Sequence, residues 1–72
     1  MKILYFLDTD TALIEFSDEV AAETREITEN LYIDLDKNGN LVRMTIEHAK
    51  QQAKISEVSF LQIEKVAIQN SL

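Results

Sequence analysis

The 72-residue chain has no cysteine, no proline, one glycine and one histidine, and these shortages exclude several classes of protein. Without cysteine, neither a disulfide framework nor a thiolate metal cluster can form. One histidine excludes a site built from several imidazoles, and one glycine cannot build a glycine-rich phosphate loop. A domain this small has little core, so we expect oligomerisation or a partner protein to supplement it.

Basic residues are also in short supply, since 13 acidic residues outnumber 7 basic ones and give a net charge of −6. This balance opposes binding to nucleic-acid phosphates and favours basic protein partners. The apolar N-terminal run stops at Asp8, which is too short for a signal peptide or a membrane span. We therefore expect a cytoplasmic protein that contacts neither nucleic acid nor membrane directly.

Apolar and polar residues alternate with the period of β-strands through the first two thirds of the chain. From residue 47 onward, good helix formers replace the alternation, and Ser59 with Gln62 has the pattern of a capping box. We predict a single α+β domain over residues 1–72, an antiparallel five-stranded β-meander with C-terminal helical segments packed on one face. The predicted strands are residues 2–7, 12–17, 21–27, 31–36 and 41–46. The predicted helical segments are residues 47–54 and 59–68, with a strand as the alternative for residues 58–63.

The first predicted hairpin turns at Asp8-Thr9-Asp10-Thr11, where Asp and Thr side chains can bond nearby backbone amides. A four-residue loop places three pairs of apolar residues on one face of the sheet. These pairs are Leu7 with Ala12, Tyr5 with Ile14, and Ile3 with Phe16.

The segment DLDKNGN, residues 34–40, predicts a second hairpin with Asn38-Gly39 as a type I′ turn. This register pairs Asp34 with Arg43 and gathers the apolar residues of both strands on one face. A slip of one residue would move Arg43 to the apolar face, so the register is well specified.

The same segment also resembles the start of a calcium-binding loop, with Asp34, Asp36 and Asn38 as oxygen ligands before Gly39. The bidentate Glu that such a loop needs at position 12 is replaced by Thr45. Both flanks have the pattern of strands, whereas a calcium loop lies between helices. The hairpin is the favoured interpretation, and weak cation binding at Asp34 and Asp36 remains the alternative. We predict no cofactor and no metal site.

Five runs of the chain follow a recognisable order: residues 5–18, 23–27, 32–36, 39–42 and 46–49. Taken together, these runs resemble the family known as domain of unknown function 2283. That family opens on a Tyr, an acidic turn and a strand of the form Asp-x-x-Tyr-Ile-x-Leu. Leu13 stands where many members have Tyr, and Arg43 where many have Gly. The resemblance implies no established activity. It implies that the chain itself is antitoxin-like, since members of the family resemble antitoxins and are sometimes encoded beside small toxin-like proteins.

The second face of the predicted sheet also carries apolar side chains, which one short helix cannot cover. Such a leftover apolar patch is typical of an association surface. We expect a homodimer, a complex with a basic protein, or both, with acidic residues on the rim of the patch. The candidate partner-binding residues are Leu4, Phe6, Leu13, Tyr32, Asp34 and Asp36.

We do not expect an enzyme, because the paired carboxylates fall in turns and on solvated faces. His48 is the only imidazole, and none of the serines lies in a nucleophile motif for which it could act as the general base. The function that we predict is a small acidic interaction module, antitoxin-like through the family resemblance. The alternative is a self-contained homo-oligomer that binds a small ligand or cation at its interface.

Overall fold

The computed structural model describes residues 1–64, which form one five-stranded antiparallel sheet and one short helix. The predicted five-stranded antiparallel sheet is confirmed. Every strand lies within two residues of its predicted bounds. The elements are β1 (Lys2–Phe6), β2 (Thr11–Glu15), β3 (Glu23–Thr28), β4 (Leu31–Leu35), β5 (Leu41–Glu47) and α1 (Ala49–Gln52).

The strand order is β1-β2-β5-β4-β3, so the predicted meander is wrong. β5 occupies the centre and pairs with both β2 and β4, while β3 lies at an edge. Residues 16–22 cross the end of the sheet from β2 to β3. The backbone amides of Phe16 and Ser17 donate to the carbonyl of Val42, and the backbone amide of Ala22 donates to the carbonyl of Leu35. These bonds fix the crossing, and the alternation of residue types carries no information about them.

The β1–β2 hairpin pairs Ile3 with Ile14 and Tyr5 with Ala12. The predicted register is therefore wrong by two residues, although a shift of two keeps the same residues on the same face. The connection is residues 7–10, and Asp10 adopts a left-handed conformation with φ 55°. Asp tolerates this conformation better than most residues, which lets the hairpin close one residue earlier on each strand.

The β4–β5 hairpin confirms the predicted pairing of Asp34 with Arg43, and of the three residue pairs beyond it. The turn itself differs from the predicted type I′, because the register shifts between Asp34 and Leu35. The backbone amide of Gly39 donates to the carbonyl of Asp36, and the amide of Asp36 donates to the carbonyl of Asn40. Gly39 has a left-handed conformation with φ 82°. This is a three-residue loop with a left-handed glycine, the next most common hairpin connection.

The C-terminal region is much less helical than predicted. Only Ala49–Gln52 of the predicted segment 47–54 is helical, and residues 59–64 form neither helix nor strand. Residues 65–68 of the predicted second helix lie outside the described residues. Because residues 59–64 are exposed, no packing compensates for the cost of starting a short helix there. Up to residue 64, the predicted helical layer is therefore a single helical turn followed by an irregular segment.

One side of the sheet, which we call the inner face, carries most of the apolar residues. Residues 53–59 run along it and border a groove of about 400 Å³. The buried hydrophobic residues of the described chain are Ala12, Leu35, Val42 and Ala49, and no large side chain is fully buried. The core is therefore thin. By strand register, the inner face comprises Ile3, Tyr5, Ala12, Ile14, Leu31, Ile33, Met44 and Ile46.

Candidate interaction surface

The opposite side of the sheet, which we call the outer face, carries an apolar row that no helix or strand of residues 1–64 covers. The substantial contacts between elements in this part of the chain are those between neighbouring strands. Register aligns Leu4 with Leu13, Leu13 with Thr45, and Thr45 with Tyr32. Phe6 lies two residues beyond Leu4 on the same face. The structure thus brings together the four apolar or aromatic candidates predicted from sequence, at positions exposed or half-buried.

A row of charges runs beside the apolar row. Register places Lys2 next to Glu15, Glu15 next to Arg43, and Arg43 next to Asp34, so the signs alternate across the sheet. Nε of Arg43 lies 2.8 Å from Oδ2 of Asp34, and the hydroxyl of Thr24 donates to the other carboxylate oxygen. The Thr24 and Arg43 bonds hold the pKa of Asp34 below its ordinary value. Both carboxylate oxygens of Asp34 therefore already accept hydrogen bonds within the sheet. The predicted role of Asp34 in partner binding stays a prediction.

Asp36, the other predicted acidic candidate, lies in the β4–β5 turn. Its Oδ1 accepts the backbone amides of Asn38 and Asn40, each at 2.9 Å. These amide donors, that of Asn40 first, hold the pKa of Asp36 below its ordinary value. Asp36 therefore shapes the turn. Charge reversal at Asp34 or Asp36 would perturb the fold as well as any binding, so neither residue gives a clean test of the surface.

The acidic part of the outer face lies instead around Tyr32, at the β3–β4 end. Glu26 is the cross-strand neighbour of Tyr32, and Glu47 lies diagonally across β5. The pKa of Tyr32 is raised, first by the negative charge of Glu47, then by partial burial, and then by the charges of Glu26 and Glu29. The sequence prediction did not include Glu29 and Glu47. Glu29 lies near Tyr32 through the tight β3–β4 turn, whereas Glu47 lies near it only through the register of β4 on β5. The end of the apolar row is thus a phenol among three carboxylates.

A second polar cluster attaches α1 to the end of the sheet. The Asp10 carboxylate accepts a hydrogen bond from the Tyr5 hydroxyl at 2.6 Å and one from the Lys50 amide at 3.1 Å. The Tyr5 bond raises the pKa of Tyr5 to about 12 and lowers that of Asp10. His48 Nδ1 lies 2.8 Å from the side-chain oxygen of Asn30. His48 thus has a local structural contact, and this cluster joins the start of α1 to the β1–β2 turn.

Within residues 1–64, no three His, Cys, Asp or Glu side chains come together in the way that a metal ion requires. The carboxylates that resemble a calcium loop in sequence are separated between the sheet and the turn. In the same part of the chain, no helix has the length and hydrophobicity needed to cross a bilayer.

Residues 1–64 thus define a small, single-sheet β protein in which no described helix or strand covers the outer face. The family described as "Protein of unknown function (DUF2283)" matches residues 2–50, and the chain belongs to this family. The matched region contains all five strands and the first two residues of α1. The resemblance inferred from the sequence is therefore confirmed. No curated protein and no solved structure matches the chain.

Proposed function

We propose that this protein is an interaction module that binds a basic protein through its outer face. The observation that carries the proposal is the uncovered row Leu4–Leu13–Thr45–Tyr32, which ends among three carboxylates. Apolar side chains at one end offer area to bury, and the carboxylates offer attraction to cations. The role is binding, without catalysis.

The acidic end suits an arginine or lysine of the partner. A guanidinium can stack on the Tyr32 ring while it donates hydrogen bonds to Glu26 or Glu47. The phenol of Tyr32 is protonated at neutral pH, as any tyrosine with a pKa of 10 or above is, so it can also donate a hydrogen bond. Aromatic and arginine side chains are the usual centres of binding energy at interfaces. Recognition would therefore be centred on Tyr32, with Leu4 and Leu13 completing the contact.

The overall charge supports the same partner chemistry. A net charge of −6 on 72 residues attracts basic proteins at long range and accelerates their association, most strongly at low salt. The attraction is not specific by itself, so the arrangement on the outer face has to provide discrimination.

The narrower form of the proposal is antitoxin-like, with a small basic toxin as the partner that the chain restrains. This narrower role is what the family resemblance implies, and the family that matches residues 2–50 is described as of unknown function. Co-expression tests it: growth arrested by such a partner should recover with the wild-type chain and fail to recover with a variant of the outer face.

The direct experiment compares two charge-reversed variants of equal net charge. Glu26→Lys with Glu47→Lys alters the acidic end of the outer face, and Asp18→Lys with Glu19→Lys alters the exposed loop between β2 and β3. The basic protein captured by the tagged wild type is purified, and its affinity for each variant is measured by calorimetry. We expect the first variant to bind at least about tenfold more weakly, because two attractive contacts become repulsive.

The loop variant should lose affinity only modestly, since it keeps the outer face and changes long-range attraction alone. Equal losses in both variants would contradict the outer face as the binding surface. Failure of the wild type to retain any basic protein would contradict the proposed function.

A further inference from the structure

The two edges of the sheet differ in a way that matters for association. β3 at one edge carries Glu23, Arg25 and Glu26, and its register shifts between Glu26 and Thr28. Charged side chains and bulges of this kind are how natural proteins protect an edge from pairing with another chain. β1 at the other edge reads KILYF and pairs regularly with β2 along its whole length. Its Ile3 is 40% exposed and its Phe6 is 45% exposed.

The hydrogen-bond phase shows which backbone groups of β1 face outward. The amide of Phe16 donates to the carbonyl of Val42 in β5. Because bonding direction alternates along an antiparallel strand, the backbone groups of residues 12, 14 and 16 point toward β5. Positions 11, 13 and 15 therefore bond toward β1, where their partners are Phe6, Leu4 and Lys2. The amide and carbonyl groups of Ile3 and Tyr5 are left pointing away from the sheet, and no strand of residues 1–64 pairs with them.

The geometry points to a second copy of this chain as the strand that pairs with β1. Antiparallel pairing about a two-fold axis at Leu4 puts Ile3 opposite the partner's Tyr5. By symmetry, Tyr5 lies opposite the partner's Ile3, and each of these two pairs exchanges two backbone hydrogen bonds. Leu4 then meets the partner's Leu4, and Lys2 meets the partner's Phe6.

The side chains of β1 complement one another in this register. An aromatic residue lies against a β-branched one on the inner face, and a cation lies against an aromatic ring on the outer face. Two chains of net charge −6 repel each other, yet β1 is free of acidic residues and carries Lys2 as its only charge. Pairing at β1 thus brings the copies together at the least acidic strand of each and gives a continuous ten-stranded sheet.

This inference goes beyond the proposed function, because it uses the backbone edge of β1 and needs no other protein. It can fail while the outer face still binds a basic partner, and the reverse also holds.

Single-cysteine variants test the register directly, since the natural chain contains no cysteine to confuse the result. In the paired dimer, the two Leu4 positions form a non-hydrogen-bonded pair with Cα atoms about 4.5 Å apart, within the range of a disulfide. We expect Leu4→Cys to convert to a covalent dimer under mild oxidation, as seen by non-reducing electrophoresis and mass spectrometry.

Two controls separate edge pairing from other contacts. Leu13→Cys lies in the same row one strand inward, about 14 Å from its counterpart in the paired dimer, which is too far for a disulfide. It would cross-link if the outer faces were stacked on each other. Ile27→Cys lies on the β3 edge and reports random collision. The inference is overturned if Leu4→Cys links no faster than Ile27→Cys, or if Leu13→Cys links as fast as Leu4→Cys.

A backbone variant gives an independent measurement without cysteine. Ile3→Pro removes an outward amide that makes no bond to β2, so circular dichroism should show the fold retained. Sedimentation across a concentration series should show a dimer for the wild type and its loss in Ile3→Pro. A wild type that stays monomeric throughout, or a folded Ile3→Pro variant that dimerises like the wild type, would overturn the inference.

Discussion

At Tyr5, one hydrogen bond from a phenol to the Asp10 carboxylate couples folding to pH. The bond raises the pKa of Tyr5 from its ordinary value of 10.0 to about 12, with partial burial and the Asp10 charge adding to the effect. The folded-state pKa lies above that of the unfolded chain. The resulting stabilisation is therefore complete below about pH 10 and is lost as the pH rises through about 12.

We predict that Tyr5→Phe unfolds at lower urea concentration than the wild type at neutral pH, because Asp10 loses its hydroxyl donor. The difference should shrink between about pH 10 and 12, since only the wild type has a phenol to ionise at this position. Urea midpoints measured from pH 7 upward check this. Tyr32→Phe is the control: its hydroxyl makes only a 3.4 Å contact with the carbonyl of Glu29, so we expect little change at neutral pH.

The hydrogen bonds of Asp10 also show why some contacts could not be predicted from the sequence. Its turn-forming character was predictable, since Asp bonds nearby amides readily. Its contact with the Lys50 amide joins residues 40 apart in the chain, and no local pattern indicates that bond. Likewise, alternation placed Tyr32 on the outer face, but Glu47 joins it only through the register of β5.

Among the elements, the β4–β5 hairpin was the most predictable. Two strands with one apolar face each, joined by a segment with the only glycine, define both the pairing and the meeting of Asp34 with Arg43. The turn type was less predictable, because Asp36 competes for the amides of Asn38 and Asn40 and favours a longer loop. Alternation specifies which face a residue occupies but not which strand lies beside it, so the central position of β5 could not be derived.

Gly39 provides a test at this level. It has φ 82°, and an added Cβ would meet nothing within 4 Å, so a substitution there changes backbone strain without a steric clash. We predict that Gly39→Ala lowers the free energy of unfolding by about 1–2 kcal/mol, the cost of the left-handed conformation for a residue with a Cβ. Gly39→Asn should lose less, because Asn tolerates this conformation better. Equal stability of wild type and Gly39→Ala in urea titrations would refute the assigned turn.

For the molecule as a whole, stability depends on a few small side chains. Val42 in β5 is 3% exposed, whereas Val20 in the segment that crosses from β2 to β3 is 84% exposed. We predict that Val42→Ala lowers the free energy of unfolding by about 2 kcal/mol, from two lost methylene equivalents and the cavity they leave. The matched variant Val20→Ala should stay within about 0.5 kcal/mol of the wild type. Comparable losses in the two variants would be inconsistent with the described core.

The thin core has a further consequence for the thermodynamics of unfolding. Heat capacity rises on unfolding because apolar surface becomes hydrated, typically by about 12–15 cal/mol/K per residue. Here much of the apolar surface of Ile3, Phe6, Leu7, Phe60 and Leu61 is already in contact with water in the folded chain. The increment per residue should fall below that range, which makes the stability curve broad and shallow. Calorimetry of the isolated chain would then show a low, wide transition, and association that buries these side chains would restore a steeper one.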